Sequence, residues 1–292
     1  MSTWTRPCTN RWLNCGMKGN KTLSDARLLS AILILSFMSG CAGLPRDRVR
    51  LDRLSDCPNQ TADTLSAEQN KLGPLSDTHA LACALNVLRD TQDHAVRRTA
   101  LGSRLCLHLA ERELNSEKRE KFATEGVDFA EAALAQGGDG DGAVHYYLAA
   151  NLGLAVREHI TLAMENLGRL ESEMKQAVAL SPDIDDGGPR RLLGALYLKA
   201  PAWPNGIGDL DKALELLEKA VKDHPGHPLN HLFYAQALWH DGDEASLSQA
   251  KAEFALGEKL LAEGNWGYSK EPWQKEFAEF AQELGESGPS HQ

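Results

Sequence analysis

The chain has 292 residues and a formal net charge of −10, from 41 acidic and 31 basic side chains. A charge of this sign argues against nucleic acid and against an anionic membrane surface as binding partners. The length is ample for a sizeable hydrophobic core.

The first 40 residues have the pattern of a secretory signal peptide. Basic side chains at Lys18, Lys21 and Arg27 precede an apolar run, LLSAILILSFM, that is too short to span a bilayer. The chain is therefore predicted to be exported. The leader is unusually long, so Met17 is an alternative start. Removing residues 1–40, which hold five basic residues and one acidic residue, lowers the net charge from −10 to −14.

A cysteine follows the apolar run directly. Met38-Ser39-Gly40-Cys41 resembles the bacterial lipobox, with Met38 where Leu is usual. We therefore expect Cys41 to be lipidated, and each buried CH₂ of its acyl chains would contribute about 0.8 kcal/mol to membrane binding. An ordinary signal peptide with a chance cysteine is the alternative. Because Ala42 replaces the Asp that usually retains lipoproteins on the inner membrane, we expect a periplasmic location on the inner leaflet of the outer membrane.

Three cysteines follow the predicted anchor: Cys57, Cys83 and Cys106. An exported protein meets an oxidising compartment, where disulfides persist. Cys83 and Cys106 lie near the middles of adjacent predicted helices. Two interpretations remain open: a bridge between them, if those helices pair antiparallel, or two small buried apolar side chains. There is no C-x-x-C spacing that would indicate a metal site.

Residues 41–73 lack sustained periodicity and are predicted to form a tether from the lipid anchor. From 74 to 285, apolar residues recur on a helical period, which predicts about ten helices in five antiparallel pairs. Residues 286–292 are predicted to be a frayed tail. The Gly/Asp-rich run at 137–142 ends one helix, and its acids are expected to act as turn residues and helix caps.

The clearest repeat lies between residues 187 and 241. It has the Leu-Gly-x-x-Tyr core of a tetratricopeptide first helix, followed by residues in the order of the second helix. These are Leu193, Gly194, Tyr197, Ala213, Leu217, Ala220 and Pro225. Gly194 and Ala220 are expected where the helix axes approach closely. The predicted fold class is all-α, with stacked antiparallel helix pairs in a degenerate tetratricopeptide-repeat bundle or solenoid.

Three segments resemble the T-component lipoproteins of tripartite ATP-independent periplasmic (TRAP) transporters. They are HYYLAANLGL at 145–154, GGPRRLLGALYLKAPAWPNGIGDLDKALELLEKAV at 187–221 and HPLNHLFYAQAL at 227–238. The resemblance implies a lipid-anchored helical bundle that associates with a periplasmic solute-binding protein and can form trimers. It therefore implies an adaptor in the uptake of organic-acid or hydrophobic solutes, with the membrane reached only through the lipid.

Nine residues in these segments are candidate partner- or ligand-binding residues: Tyr146, Tyr147, Asn151, Arg190, Arg191, Tyr197, Trp203, Asn230 and Tyr234. The tyrosines would also suit a repeat core. The two arginines would either bind a ligand carboxylate or pair with acids on a neighbouring helix. Trp203 lies in a Pro-rich insertion at 200–208 and is either an interface anchor or a lid on the helix pair.

His224, His227 and His231 have a spacing that resembles zinc ligands. They straddle a Pro-Gly-x-Pro turn, so we expect solvated turn residues and no metal site. The sequence has no G-x-S-x-G elbow and no phosphate-binding glycine loop. We therefore expect no enzyme activity and no cofactor. Besides the transport adaptor, the second candidate function is a structural scaffold for assembly of the outer envelope.

Overall fold

The computed structural model describes residues 47–51, 54–91 and 95–285. These residues form eleven α-helices and no β-strand, which confirms the predicted all-α class with about ten helices in packed pairs. The predicted signal peptide, the alternative start at Met17, the lipidation site Cys41 and the tail at 286–292 lie outside the described residues.

The helices are α1 (Ala62–Ala67), α2 (Thr78–Arg89), α3 (Val96–Arg112), α4 (Ser116–Ala135), α5 (Gly142–Val156), α6 (Ile160–Leu180), α7 (Gly188–Lys199), α8 (Leu210–Asp223), α9 (Pro228–Asp241), α10 (Glu244–Glu263) and α11 (Lys270–Gly285). Short polar side chains fix many of their starts. Asp77, Asp141 and Asp209 accept hydrogen bonds from the first backbone N–H groups of α2, α5 and α8. Such caps satisfy donors that have no partner within the helix.

Helix packing follows chain order. Each helix from α2 to α11 packs against the next, and α3 also packs against α5, as α7 does against α9. Contact between alternate helices is expected when the first helix of one pair meets the first helix of the next. A Cβ atom on Gly194 of α7 would lie only 2.6 Å from Leu217 Cγ of α8, so these two helices meet where the sequence predicted a close approach.

The described part of the segment predicted as a tether is attached to the helical body. It contains α1, which a capping box between Thr61 and Thr64 starts. Further upstream, the Val49 carbonyl accepts a 2.9 Å hydrogen bond from Arg89 of α2. Local hydrogen bonds and long-range contacts hold this segment. Such contacts form without apolar periodicity, so the lack of periodicity, from which the tether was predicted, did not reveal them.

Cys57 in this segment forms a disulfide with Cys83 of α2. The predicted alternative of a Cys83–Cys106 bridge is therefore wrong. Cys106 is a free, buried thiol, as the second interpretation expected. Burial raises its pKa well above the usual range. The partner of Cys83 was missed because Cys57 lies in a stretch with no helical pattern that would place it.

The C-terminal elements pack against an early helix. Tyr268, in the 3₁₀ turn Gly267–Ser269, lies with its ring centroid 3.9 Å from the Arg112 guanidinium carbon of α3. Its hydroxyl also bonds Glu111 and lies 3.2 Å from His108 Nδ1. Among the helices described, none has the length and apolar character that crossing a membrane requires.

Candidate ligand groove and interaction loop

A groove of about 640 Å³ runs beside α3, α5 and the turn between α6 and α7. Apolar side chains of Val96, Leu101 and Ile184 share its lining with charged and polar ones. The polar residues include Arg97, Arg104, Asp141, Tyr147 and Asp185. Apolar walls with a few placed polar groups are usual for small-molecule sites.

Two arginines on α3 give the groove its positive charge. Arg97 is exposed and Arg104 is half-buried, and they lie seven residues apart, two helical turns, on one face of the helix. Among the described residues, no hydrogen-bond partner reaches the buried Arg104 Nε. Guanidinium groups bind carboxylates through paired N–H donors, so this wall suits a carboxylate attached to an apolar body.

Another part of the groove lining is a turn with unusual backbone geometry. Asp185 and Asp186 have φ values of 48° and 51°, followed by Gly187 at 85°. The left-handed region costs a non-glycine residue about 1–2 kcal/mol. The surrounding structure must therefore hold these two aspartates in place.

Arg191 and Asn230 hold this turn from inside the protein. Arg191 donates to the carbonyls of Asp185 at 3.1 Å and Asp186 at 3.3 Å. Asn230 Nδ2 donates to the Asp186 carbonyl at 3.0 Å. Both side chains are buried. These two candidate binding residues therefore position a wall of the groove and do not line it.

Tyr146, Tyr147 and Asn151 are buried on α5. The two tyrosine rings meet edge to face with centroids 5.0 Å apart, and Tyr147 reaches the groove. Burial raises the pKa of both phenols, so they stay protonated. Asn151 Nδ2 donates to the Ser103 carbonyl at 2.9 Å and joins α5 to α3. Of the three, the structure brings only Tyr147 to the groove.

The remaining predicted residues on α7 and α9 join neighbouring helices. Tyr197 donates to Glu171 Oε1 at 2.7 Å, and the Tyr234 hydroxyl accepts from Gln249 at 3.3 Å. Arg190 pairs with Asp223 at 2.9 Å. These contacts match the interpretation that repeat-core tyrosines and an inter-helix ion pair explain the pattern.

Trp203 is different, because 85% of its surface is exposed. It therefore does not fold back as a lid on the helix pair. The loop that carries it is tied together by its own backbone: Gly208 N–H donates to the Pro201 carbonyl at 2.8 Å, and Asn205 and Gly206 N–H both donate to the Ala202 carbonyl. An ordered loop thus presents a large aromatic side chain to solvent.

The glycines explain why this insertion takes one compact form. A Cβ atom on Gly206 would lie 2.4 Å from the Pro201 carbonyl oxygen, and one on Gly208 would lie 2.2 Å from the Ala200 oxygen. No side chain fits against backbone at such distances. The Pro/Gly-rich sequence is therefore required by the close return of the chain on either side of Trp203.

The three histidines at the α8–α9 turn do not converge on one point. His224 bonds Asp183, whereas His231 bonds Glu253 at 2.6 Å. His227 packs against Trp266 and Trp273, with ring centroids 5.5 and 5.1 Å away. The prediction of solvated turn residues is wrong for His227 and His231, both of which are buried. The C-terminal tryptophans that cover His227 come from a part of the chain that the local sequence could not reveal.

Several residues of this region were not among those predicted from the sequence. Arg97 and Arg104 could have been found, because a spacing of seven residues places them on one helix face. Nothing in the local sequence of Asp185 indicates that its backbone forms a groove wall. Neither the family models nor the curated proteins compared with this chain match it.

Proposed function

We propose that this protein is a lipid-anchored periplasmic adaptor that binds the solute-binding protein of a TRAP transporter. The observation that carries the proposal is the ordered, exposed Trp203 loop between α7 and α8. The loop belongs to the segment whose sequence most resembles the T components. Tryptophan is enriched among the residues that dominate binding energy at protein interfaces.

The physical argument concerns the cost of ordering. A tryptophan buries about 150–250 Å² when it is covered, which corresponds to roughly 4–6 kcal/mol of gross apolar stabilisation. Part of this is lost when a mobile loop must be ordered on binding. The backbone hydrogen bonds of residues 201–208 already fix the loop. Most of the apolar stabilisation from covering Trp203 is therefore available for binding the partner.

The chemistry of the groove lining is a second observation that supports the same proposal. A delivered organic acid or hydrophobic carboxylate would find apolar contacts at Val96, Leu101 and Ile184 and positive charge at Arg97 and Arg104. Asp141 and Asp185 on the same lining would limit the total negative charge that such a solute can carry. The solute class expected from the resemblance is compatible with this chemistry.

The test is affinity capture from periplasmic extract with residues 43–292, which form a compact unit of their own. The wild type is compared with Trp203→Ala and with Ile160→Ala. Ile160 is a matched control because it is also apolar and 82% exposed, but lies at the start of α6, away from the Trp203 loop in the sequence. We expect the wild type and Ile160→Ala to capture one solute-binding protein, and Trp203→Ala to lose it. Capture of only outer-membrane assembly or cell-wall proteins would contradict the adaptor and support an envelope scaffold instead.

A further inference from the structure

Three side chains with strong metal-binding character cluster at the start of α2. The ligand atoms of Cys57, His79 and Cys83 all lie within 4.8 Å of one another. His79 Nε2 is 3.5 Å from Cys83 Sγ. Within the described ranges this is the one group of three or more histidine, cysteine or acidic side chains with such a geometry.

The local sequence explains the convergence. His79 and Cys83 are one helical turn apart, so both project from the same face of α2. Asp77 fixes the start of this helix by accepting hydrogen bonds from the backbone of His79 and Ala80. Cys57 comes from the preceding segment and completes the group from the other side. Two separate parts of the chain thus supply the ligands.

The donor set selects the class of metal. Two sulfurs and one imidazole nitrogen suit Zn²⁺, which takes Cys and His ligands in tetrahedral geometry at about 2.3 Å and 2.0–2.1 Å. At those bond lengths, sulfur and nitrogen ligands of one zinc ion lie about 3.5–3.6 Å apart and two sulfurs about 3.8 Å apart. The 3.5 Å between His79 Nε2 and Cys83 Sγ already meets this requirement. The two sulfurs, now bonded to each other, must separate, and Cys57 Sγ must take its place within about 3.6 Å of His79 Nε2, from which it now lies at most 4.8 Å away.

We propose that this cluster has two states: a Cys57–Cys83 disulfide when oxidised, and a Zn²⁺ site made by Cys57, His79 and Cys83 when reduced. In the first step a dithiol reductant supplies two electrons and two protons, the S–S bond breaks, and the reductant becomes a disulfide. In the second step Zn²⁺ displaces the two thiol protons and binds both thiolates and the neutral imidazole. Water or a further ligand takes the fourth position.

Exposure makes both steps accessible. Cys57 and His79 are exposed at the surface, and Cys83 lies beneath them. A reductant can therefore attack at Cys57, and a metal ion can approach from solvent. Cys106 is fully buried, and burial holds its thiol pKa well above the usual range, so it is a poor competitor for the metal. The site does not depend on the proposed adaptor function.

The exchange would preserve a connection in the fold. The disulfide links the segment before α1 to α2 across 26 residues. Reduction alone would release that link. A zinc ion bound to the same two sulfurs would restore it, because metal binding contributes to folding stability when the ligands come from separate segments.

The test uses residues 43–292, in which Cys57, Cys83 and Cys106 are the only cysteines. Equilibrium dialysis with Zn²⁺ compares the oxidised and the anaerobically reduced forms. We expect one Zn²⁺ per reduced chain and none on the oxidised chain. His79→Ala should weaken binding about tenfold or more, while Cys106→Ala and the surface control His159→Ala should bind as the wild type does. Absorption of Cd²⁺–thiolate bonds gives a second readout of coordination by both sulfurs.

His79→Ala keeps both cysteines and can therefore form the disulfide. A variant that removes a cysteine, such as Cys57→Ser, would lose the disulfide and could fold poorly, so His79→Ala is the better test of the site. Circular dichroism checks the fold of each variant. Stoichiometric binding that is insensitive to His79→Ala would overturn the three-ligand site. Absence of Zn²⁺ binding by the folded, reduced wild type would overturn the proposal altogether.

Discussion

Arg191 Nη1 donates a 2.8 Å hydrogen bond to Asn230 Oδ1, and this contact joins α7 to α9 inside the protein. The contact belongs to a pattern that recurs along the chain. His145, Arg191 and His231 are the fourth residues of α5, α7 and α9, and each bonds a carbonyl six residues earlier, at Asp139, Asp185 and Pro225. In each of these three helices, one buried cationic or imidazole side chain thus secures the turn that leads into its own helix.

Replacing Arg191 should destabilise the protein far more than replacing its neighbour Arg190. Arg191→Ala leaves Asn230 Oδ1 and the Asp185 carbonyl without their buried donor, and we expect a loss of about 2–4 kcal/mol in the free energy of unfolding. Arg190 makes a partly exposed pair with Asp223, so Arg190→Ala should cost about 0–1 kcal/mol. Urea unfolding of both variants measures the difference. Equal losses would show that Arg191 does not hold the turn.

Among the acidic residues, we expect replacement of Glu125 to weaken attachment of the N-terminal segment the most. Its side chain is only 1% exposed, and it accepts hydrogen bonds from Arg89 at 2.7 and 2.5 Å and pairs with Arg48. Glu125→Ala leaves Arg89 as an uncompensated buried charge, for which we expect a loss of about 3–5 kcal/mol.

The same substitution should release the segment around Arg48, which trypsin would then cleave faster in the folded protein. Glu68→Ala is the control, since Glu68 pairs with Lys71 at the surface and should change stability by less than about 0.5 kcal/mol. Unchanged proteolysis of Glu125→Ala at Arg48 would show that another contact holds the segment.

Two helical glycines should respond to alanine in opposite directions. Gly194→Ala would place a Cβ 2.6 Å from the buried Leu217 Cγ, and we expect overpacking to cost about 1–3 kcal/mol. Gly168, inside α6, has nothing within 4 Å of its Cβ position, so Gly168→Ala should stabilise by about 0.5–1 kcal/mol. Thermal and urea unfolding measure the sign of the change in the free energy of unfolding for each variant. A stabilising Gly194→Ala would mean that α7 and α8 can separate at little cost.

Local patterns were enough to predict the fold class. The spacing of Leu193, Gly194 and Tyr197 indicated a repeat helix, and the close approach of Gly194 to Leu217 follows from the same pattern. Long-range partners were not predictable. Glu125 meets Arg89 across 36 residues, and Cys57 lies in a segment without periodicity, so nothing local pairs them with their partners.

The candidate site was predictable only in part. The Pro/Gly-rich insertion drew attention to Trp203, but the sequence left open whether its side chain covers the helices or faces solvent. Arg191 and Asn230 were predicted as partner- or ligand-binding residues, yet the structure shows them bonded to the backbone of Asp185 and Asp186. Every residue has a backbone carbonyl, so the types of the residues at 185 and 186 do not reveal that a distant side chain bonds their carbonyls.

His227 should make the protein sensitive to mild acid. Burial, followed by the positive charges of Arg191, His224 and His231, lowers its pKa from 6.5 to about 2 in the folded protein. The unfolded chain therefore takes up a proton below pH 6.5 that the folded protein does not, and stability falls as pH falls. The slope from this one group reaches about 1.4 kcal/mol per pH unit. His227→Phe keeps an aromatic ring against Trp266 and Trp273 and should remove that part of the slope.

His231 provides a control of the opposite sign. Burial alone would lower its pKa, but its hydrogen bonds to Glu253 and the Pro225 carbonyl raise it above 6.5. Its contribution to stability is therefore fully present below pH 6.5 and is lost as pH rises through the raised pKa. Urea unfolding from pH 4.5 to 8.5 should show His227→Phe losing its part of the acid-side slope and His231→Gln losing its part of the alkaline-side slope. If His227→Phe keeps the acid-side slope of the wild type, the imidazole of His227 is protonated in the folded protein and its enclosure by the two tryptophans is not tight.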